Sequence, residues 1–270
     1  MMNRKTCAYC GNGGPFTKEH IWPAAFLERR NGLYAHYSPS SGNVHGADYI
    51  VKDVCKACNN GNLSVLDNYF CSIYDNYFKE PREAGTELTF SYDYHLLARA
   101  LLKIAYNTAR SANSEVIPLQ RFSKYILNGE PPPEGLAVFG ELVSPSYIKD
   151  YDDPTQIKEI LPTMYRSARC EFQSPNGPSF LLRMVAVNSF YFHLLAVRSP
   201  EQIEEFYQGV NEFLEGVKGT VILLPDSDKV ILKTSPQDGL RSMLPLLKAK
   251  RKNYRTFFDT NRKKDSKGDS

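Results

Sequence analysis

Four of the six cysteines fall into two C-x-x-C pairs, Cys7/Cys10 and Cys55/Cys58. Two sulfurs at that spacing reach one ion from a tight turn, and two such turns offer the four thiolates that a structural zinc prefers. The glycines in Cys10-Gly11-Asn12-Gly13-Gly14 free the backbone to fold its amides around a metal-bound sulfur. Cys71 and Cys170 stand apart and read as small buried hydrophobes. A plain zinc ribbon leaves about 15–20 residues between its pairs, whereas Cys10 and Cys55 enclose 44. Inside that interval lies Lys18-Glu19-His20-Ile21-Trp22-Pro23. A carboxylate followed by an imidazole suits hydrolysis. Glu19 offers oxygen to a hard cation such as Mg²⁺, and His20 can take a proton from water near neutral pH. On an extended segment the two side chains diverge, so they need not compete for one ion.

These residues need elements to hold them. Pro23 opens a short helix over 24–30, where its missing amide donor costs nothing. Residues 31–47, with His36 and His45, read as a loop, and 49–54 as a strand. After the second pair, Leu63, Leu66, Phe70, Ile73 and Tyr77 recur at three- and four-residue steps, one apolar stripe of a helix that Pro81 ends. A unit of this size has a marginal core, so zinc would be part of its folding energy. A second helix is expected over 92–112, capped by Ser91 or Asp93, with Leu97, Leu101, Ile104 and Thr108 on one face and His95 on the helix. A third, over 119–127, closes at Asn128-Gly129, and Pro131-Pro132-Pro133 breaks the chain.

Strands follow at 136–142, 163–172, 180–187 and 190–197, the last carrying His193, with turns at Ser174-Pro175-Asn176-Gly177 and Asn188-Ser189. Short links imply antiparallel pairing. A short helix is expected at 200–208, strands at 221–224 and 230–232, and a helix from 240. The expected fold class is thus α+β in three parts. Residues 1–80 form a zinc-stapled module, 81–130 a helical segment, and 131–270 a region with an antiparallel sheet, helices and a basic tail.

Composition agrees with a folded chain: of 270 residues, 42% are hydrophobic and 23% charged. No stretch approaches the roughly 18 apolar residues that span a bilayer. The N-terminus has no apolar run behind its basic residues, so a cytoplasmic location without membrane association is expected. The net charge of +3 is unevenly placed, because 248–264 holds eight Lys and Arg against Asp259 alone. Such a tail suits a polyanionic partner.

The order C-x-x-C, then Glu-His-x-x-Pro, then Cys-Lys-x-Cys-Asn resembles the HNH endonucleases, whose active unit is a ββα-metal finger. The resemblance covers about residues 5–80. It implies that Cys7, Cys10, Cys55 and Cys58 hold structural zinc outside the reaction. Glu19 matches the acidic ligand of a catalytic divalent ion, Mg²⁺ or another. His20 matches the general base, and Asn59, just after Cys58, matches the second ligand, with Asn60 its neighbouring alternative. The chain departs from the pattern at Ile50, where the family carries Asn and where Asn43, His45 or Asp48 would have to substitute. It departs again at Asn62, where many members carry Lys. The implied activity is hydrolysis of phosphodiester bonds, with DNA the favoured substrate and RNA, including tRNA, the alternative. An antiviral role in bacterial phage defence goes with the family's small members. The region beyond 131 would select nucleic acid or dock a regulatory protein partner. The competing class is a non-catalytic zinc-bearing interaction module.

Overall fold

The computed structural model describes residues 5–29, 49–130, 134–149, 155–163, 165–172 and 180–235, with residues 36–37, 44–45 and 153. The basic stretch 248–264, the helix expected from 240, the 174–177 turn, Pro131–Pro133, Asn43 and Asp48 lie outside the described residues.

Strand β1 (Phe16–His20) leads into α1 (Ala24–Glu28), two two-residue strands, β2 (His36–Tyr37) and β3 (Val44–His45), and then β4 (Ile50–Cys55). His36 and His45, read as loop residues, pair with each other across β2 and β3. β1 and β4 pair antiparallel from Phe16↔Cys55 to His20↔Ile50, with an irregularity between Thr17 and Glu19. The chain turns helical at the second cysteine pair: α2 (Lys56–Cys58), a π-helical turn over Asn59–Leu63 kinked at Gly61, and α3 (Ser64–Ile73), which ends in a second π-turn over Tyr74–Phe78. Leu63, Leu66, Phe70 and Ile73, the stripe expected from periodicity, are all buried. Each such side chain removes enough apolar surface from water to contribute about 1.5–3 kcal/mol.

β5 (Glu87–Ser91) precedes α4 (Tyr94–Ser111), whose N-cap Asp93 accepts a hydrogen bond from the Leu96 amide at 2.9 Å. The single helix expected at 119–127 is two short ones, α5 (Val116–Gln120) and α6 (Ser123–Asn128). Gly129 closes α6 in the left-handed region, at φ 69°. Next come β6 (Leu136–Val143), β7 (Ser146–Lys149), β8 (Ile157–Ile160), β9 (Tyr165–Cys170), β10 (Phe180–Val187) and β11 (Phe190–Val197). The chain ends its described part with α7 (Ile203–Gly216), β12 (Thr220–Leu223) and β13 (Lys229–Ser235). Gly135 opens β6 at φ +85°, and a Cβ there would lie 2.3 Å from Val197 Cγ1, so backbone and space both require glycine.

The main sheet has seven strands in the order β5-β13-β6-β11-β10-β9, with β12 also on β6. β6, β11, β10 and β9 pair antiparallel, as expected, and among the described residues the sheet is mixed through one contact, that of β13 with β6. β12 runs antiparallel to β6 through Thr220↔Glu141 to Leu223↔Val138, the chain then reverses, and β13 meets β6 parallel at Thr234↔Leu142 and Ser235↔Val143. β11 holds one edge of β6, so β12 and β13 share the other, and a strand that reverses after an antiparallel pairing meets that edge parallel. β7 and β8 form a separate hairpin.

One hydrophobic cluster joins Cys7, Val54 and Phe70 to Leu101, Ile126, Val185 and Leu232. The packed core therefore continues across residues 80 and 130. α4 lies at its centre, buried on most of its surface, against α3, β4, β9, β10 and β11. Trp22 and Phe26 meet Tyr165 of β9 edge to face at centroid distances of 5.1 and 5.4 Å, joining the N-terminal hairpin to the sheet. On the other side of the sheet, α7 places Phe206, Val210 and Phe213 over Phe139, Phe180, Leu195 and Val197. Among the described residues, no helix is long and apolar enough to cross a membrane.

Candidate functional site

The hairpin β1–β4 and the helix after it bring both cysteine pairs together. The ligand atoms of Cys7, Cys10, Cys55 and Cys58 all lie within 4.8 Å of one another. The Cys55 amide donates to Cys7 Sγ at 3.4 Å. Burial alone would raise the Cys7 thiol, but the backbone amides of Cys10, Cys55 and Tyr9 outweigh it and bring it down to about 7. Cys10 and Cys58 are pushed up, chiefly by burial. Four close thiols cannot all ionise unless a cation compensates them, and amides aimed at sulfur are what a thiolate–metal centre needs. This donor set fits a structural zinc.

His20 ends β1, half-buried, with Glu19 beside it at 3% exposure. Glu19 turns to α4, while His20 keeps part of its surface exposed with its Nδ1 buried. Glu19 Oε1 lies 2.6 Å from Lys103 Nζ and accepts from Asn107 Nδ2 at 3.4 Å. Lys103, only 1% exposed, also pairs with Asp67 of α3. Burial alone would lower the Lys103 ammonium, but Asp67 and Glu19 together raise it. Burial pushes the Glu19 carboxyl up against the opposing pull of Lys103.

Asn59, at the helix start, donates from Nδ2 to Thr17 Oγ1 at 2.8 Å and to the Lys18 carbonyl at 3.1 Å. It ties the helix to β1 immediately before Glu19 and His20. The structure thus gathers the three residues around one strand but gives two of them protein partners. The Glu19 carboxylate is buried against an ammonium, and Asn59's amide nitrogen is spent on the strand. A divalent ion at Glu19 would compete with Lys103, so as placed this carboxylate does not fit a cation site, whereas the Asn59 bonds use only its amide nitrogen and leave the oxygen, the atom a hard cation takes. Asn60 lies in the same π-helical turn, and Asn62 Nδ2 donates to Asn128 Oδ1 at 3.4 Å.

Sequence reasoning missed the groups that α4 adds. Asn107, fully buried, accepts from the Tyr9 hydroxyl at 2.6 Å and from Arg110, and donates to Glu19 and to the His20 carbonyl at 3.3 Å. Tyr106 donates to the Ala8 carbonyl at 3.2 Å, and Arg110 pairs with Asp53 of β4. Arg110 lies over the rings of Tyr9 and Tyr106 at 5.2 and 4.7 Å. The signal was present: Lys103, Asn107 and Arg110 fall at four- and three-residue steps, a polar stripe on a helix otherwise apolar enough to be buried. Elsewhere, His95 Nδ1 meets the Tyr125 hydroxyl at 3.0 Å and His193 Nε2 meets Glu141 at 3.0 Å, while Cys71 is buried in α3 and Cys170 half-buried in β9.

Compared with known proteins, the chain matches no family model, no curated protein and no solved structure.

Proposed function

We propose that the chain is an HNH-type endonuclease that hydrolyses phosphodiester bonds of nucleic acid with His20 as general base. The observation that carries the reading is the coincidence of a four-cysteine centre with Glu19-His20 on the first strand of the hairpin it closes, and Asn59 at the start of the helix that follows. In this mechanism His20 takes a proton from the attacking water as its oxygen bonds to phosphorus, the P–O bond to the sugar breaks, and the departing oxygen takes a proton from solvent. A positioned base contributes about 10²–10⁴-fold. Zinc on Cys7, Cys10, Cys55 and Cys58 fixes the hairpin to the helix and stays outside the reaction. The resemblance adds a divalent ion, Mg²⁺ or another, on Glu19 and Asn59. The ammonium of Lys103 argues against Glu19 as its ligand, while Asn59 keeps its amide oxygen for one.

DNA is the first substrate to try, then single strands and tRNA. The test incubates each with zinc-loaded protein, with and without Mg²⁺ or Mn²⁺, beside His20→Ala. Cleavage that falls by about 10²-fold or more in His20→Ala is expected. Undiminished cleavage in that variant, with zinc retained and contaminants excluded, removes the base from the mechanism. The burial of Glu19 against Lys103 favours a second reading, a non-catalytic zinc-bearing interaction module. Absence of cleavage under every condition, with the fold and zinc intact, selects it. Within the nuclease reading, an effector of phage defence held in check by a regulatory partner is the setting proposed.

A further inference from the structure

We infer that Asn107 is a positioning residue that couples the zinc knuckle to the strand bearing His20, and that Glu19 serves this coupling as an anchor instead of binding a divalent ion. The inference rests in part on the reading of His20 as a base. Its geometric half stands without that reading.

A carboxamide has one acceptor oxygen and two donor hydrogens, and Asn107 uses both ends in a fully buried position. Its oxygen faces the knuckle, accepting from the hydroxyl of Tyr9, which lies between Cys7 and Cys10. Its nitrogen faces β1, donating to the Glu19 carboxylate and the His20 carbonyl. One planar group thus spans the metal turn and the strand end. Lys103, one helical turn earlier on α4, seats the same carboxylate at 2.6 Å and cross-links it to Asp67 on α3. The next amide along the strand, Ile21 N, donates to the Tyr49 carbonyl at 3.0 Å, so a shift of the His20 carbonyl also pulls on the hairpin. Buried polar networks that are satisfied in this way fix one geometry, because each leftover donor or acceptor would be costly. His20 is held from behind, by its own backbone and its neighbour, from a helix outside the zinc-bearing segment.

The two halves of the amide can be separated in the full-length, zinc-loaded chain. Asn107→Asp keeps the shape and the acceptor toward Tyr9 and Arg110, but as a carboxylate it offers no hydrogen to Glu19 or His20. Hydrogen exchange is read at residues 17–22 together with zinc content. Asn107→Asp is expected to keep its zinc and to speed exchange at residues 19–21 by about tenfold or more. Tyr9→Phe, a smaller change that removes only the hydroxyl, is expected to loosen residues 19–21 in the same direction. Unchanged exchange there in Tyr9→Phe overturns the coupling, even where Asn107→Asp fails to fold.

Cleavage supplies the second arm. Asn107→Asp should lower kcat by about 10²-fold with little change in KM, the size expected of a misplaced catalytic group. Glu19→Gln, which still accepts from Lys103 and Asn107, should stay within about tenfold of the wild type, while Glu19→Ala falls by about 10²-fold. A Glu19→Gln protein as inactive as His20→Ala overturns the anchor role, because charge and not hydrogen bonding would then be what Glu19 supplies. If the wild type cleaves nothing, the nuclease reading fails, and the exchange measurements still decide the coupling.

Discussion

Replacing Lys103 with Met would remove the one ammonium between Glu19 and Asp67 and leave the Glu19 carboxylate, 3% exposed, without its cation. At the 2.6 Å separation the pair attracts by about 6 kcal/mol if the effective dielectric is about 20. Burying the two ions costs several kcal/mol each, so the intact pair contributes little net stability. The cost of breaking it is not small. A single deletion leaves a buried charge uncompensated and costs about 3–5 kcal/mol. At roughly 2–4 °C per kcal/mol for a chain of this size, Lys103→Met should lower Tm by roughly 6–20 °C.

Glu19→Gln should cost less, because Lys103 keeps Asp67, whose side chain is 26% exposed and reaches water. The double variant Glu19→Gln/Lys103→Met has no buried carboxylate at this position. It should regain most of the loss, with a coupling energy of about 1.5–3 kcal/mol between the two sites. Urea unfolding of the four proteins at fixed zinc concentration measures that coupling. Additive losses would refute the reasoning, since they would mean that Glu19 does not depend on Lys103.

Two further outcomes are expected. Chelating the metal should open the four-cysteine centre and expose the protein's single Trp, because Trp22 is packed on Phe26, Phe70 and Tyr165 beside that hairpin. A red shift of its fluorescence that zinc reverses checks this, and an unchanged spectrum with metal removed counts against zinc as part of the folding energy. Stability should hold from neutral pH to about 9, where the thiols of Cys71 and Cys170, pushed up by burial, begin to contribute, and then decline more steeply above about 10. Burial pushes the Tyr94 and Tyr191 hydroxyls up to about 12, and the Lys103 ammonium is also raised. Groups raised on folding bind protons more tightly in the native state, so their stabilisation is complete below their unfolded values and lost as pH climbs through the folded ones. Denaturant midpoints measured from pH 7 to 12 give the curve, and a gain in stability above pH 10 would reverse the sign.

What the sequence revealed was local. The α3 stripe, the Asp93 cap of α4, the Gly129 closure of α6 and strands β10 and β11 each rest on residues a few positions apart, where periodicity and capping chemistry operate. The four cysteines were legible because a tetrahedral ion demands a fixed spacing within each pair. β5 escaped notice although Phe90 is buried, since five residues at a sheet edge give too short an alternation. The parallel contact of β13 with β6 was out of reach because nothing local encodes which strand a returning chain meets. The partners of Glu19 were missed for the same reason: Lys103 lies 84 positions away, and its pairing follows from where α4 packs. Consecutive acid and imidazole residues state what chemistry is on offer, but not which of them faces water.

The central place of α4 also bears on modularity. A gene fragment ending at residue 80 would encode both metal turns and the motif residues, yet it would lack the lysine that neutralises Glu19, the amide that braces His20 and the apolar wall beside Phe70. Such a fragment is not a transplantable cassette. Recombination that carried this motif into another protein intact would have to carry the helix with it, and the helix in turn leans on β9, β10 and β11, so the smallest heritable unit here reaches beyond residue 111.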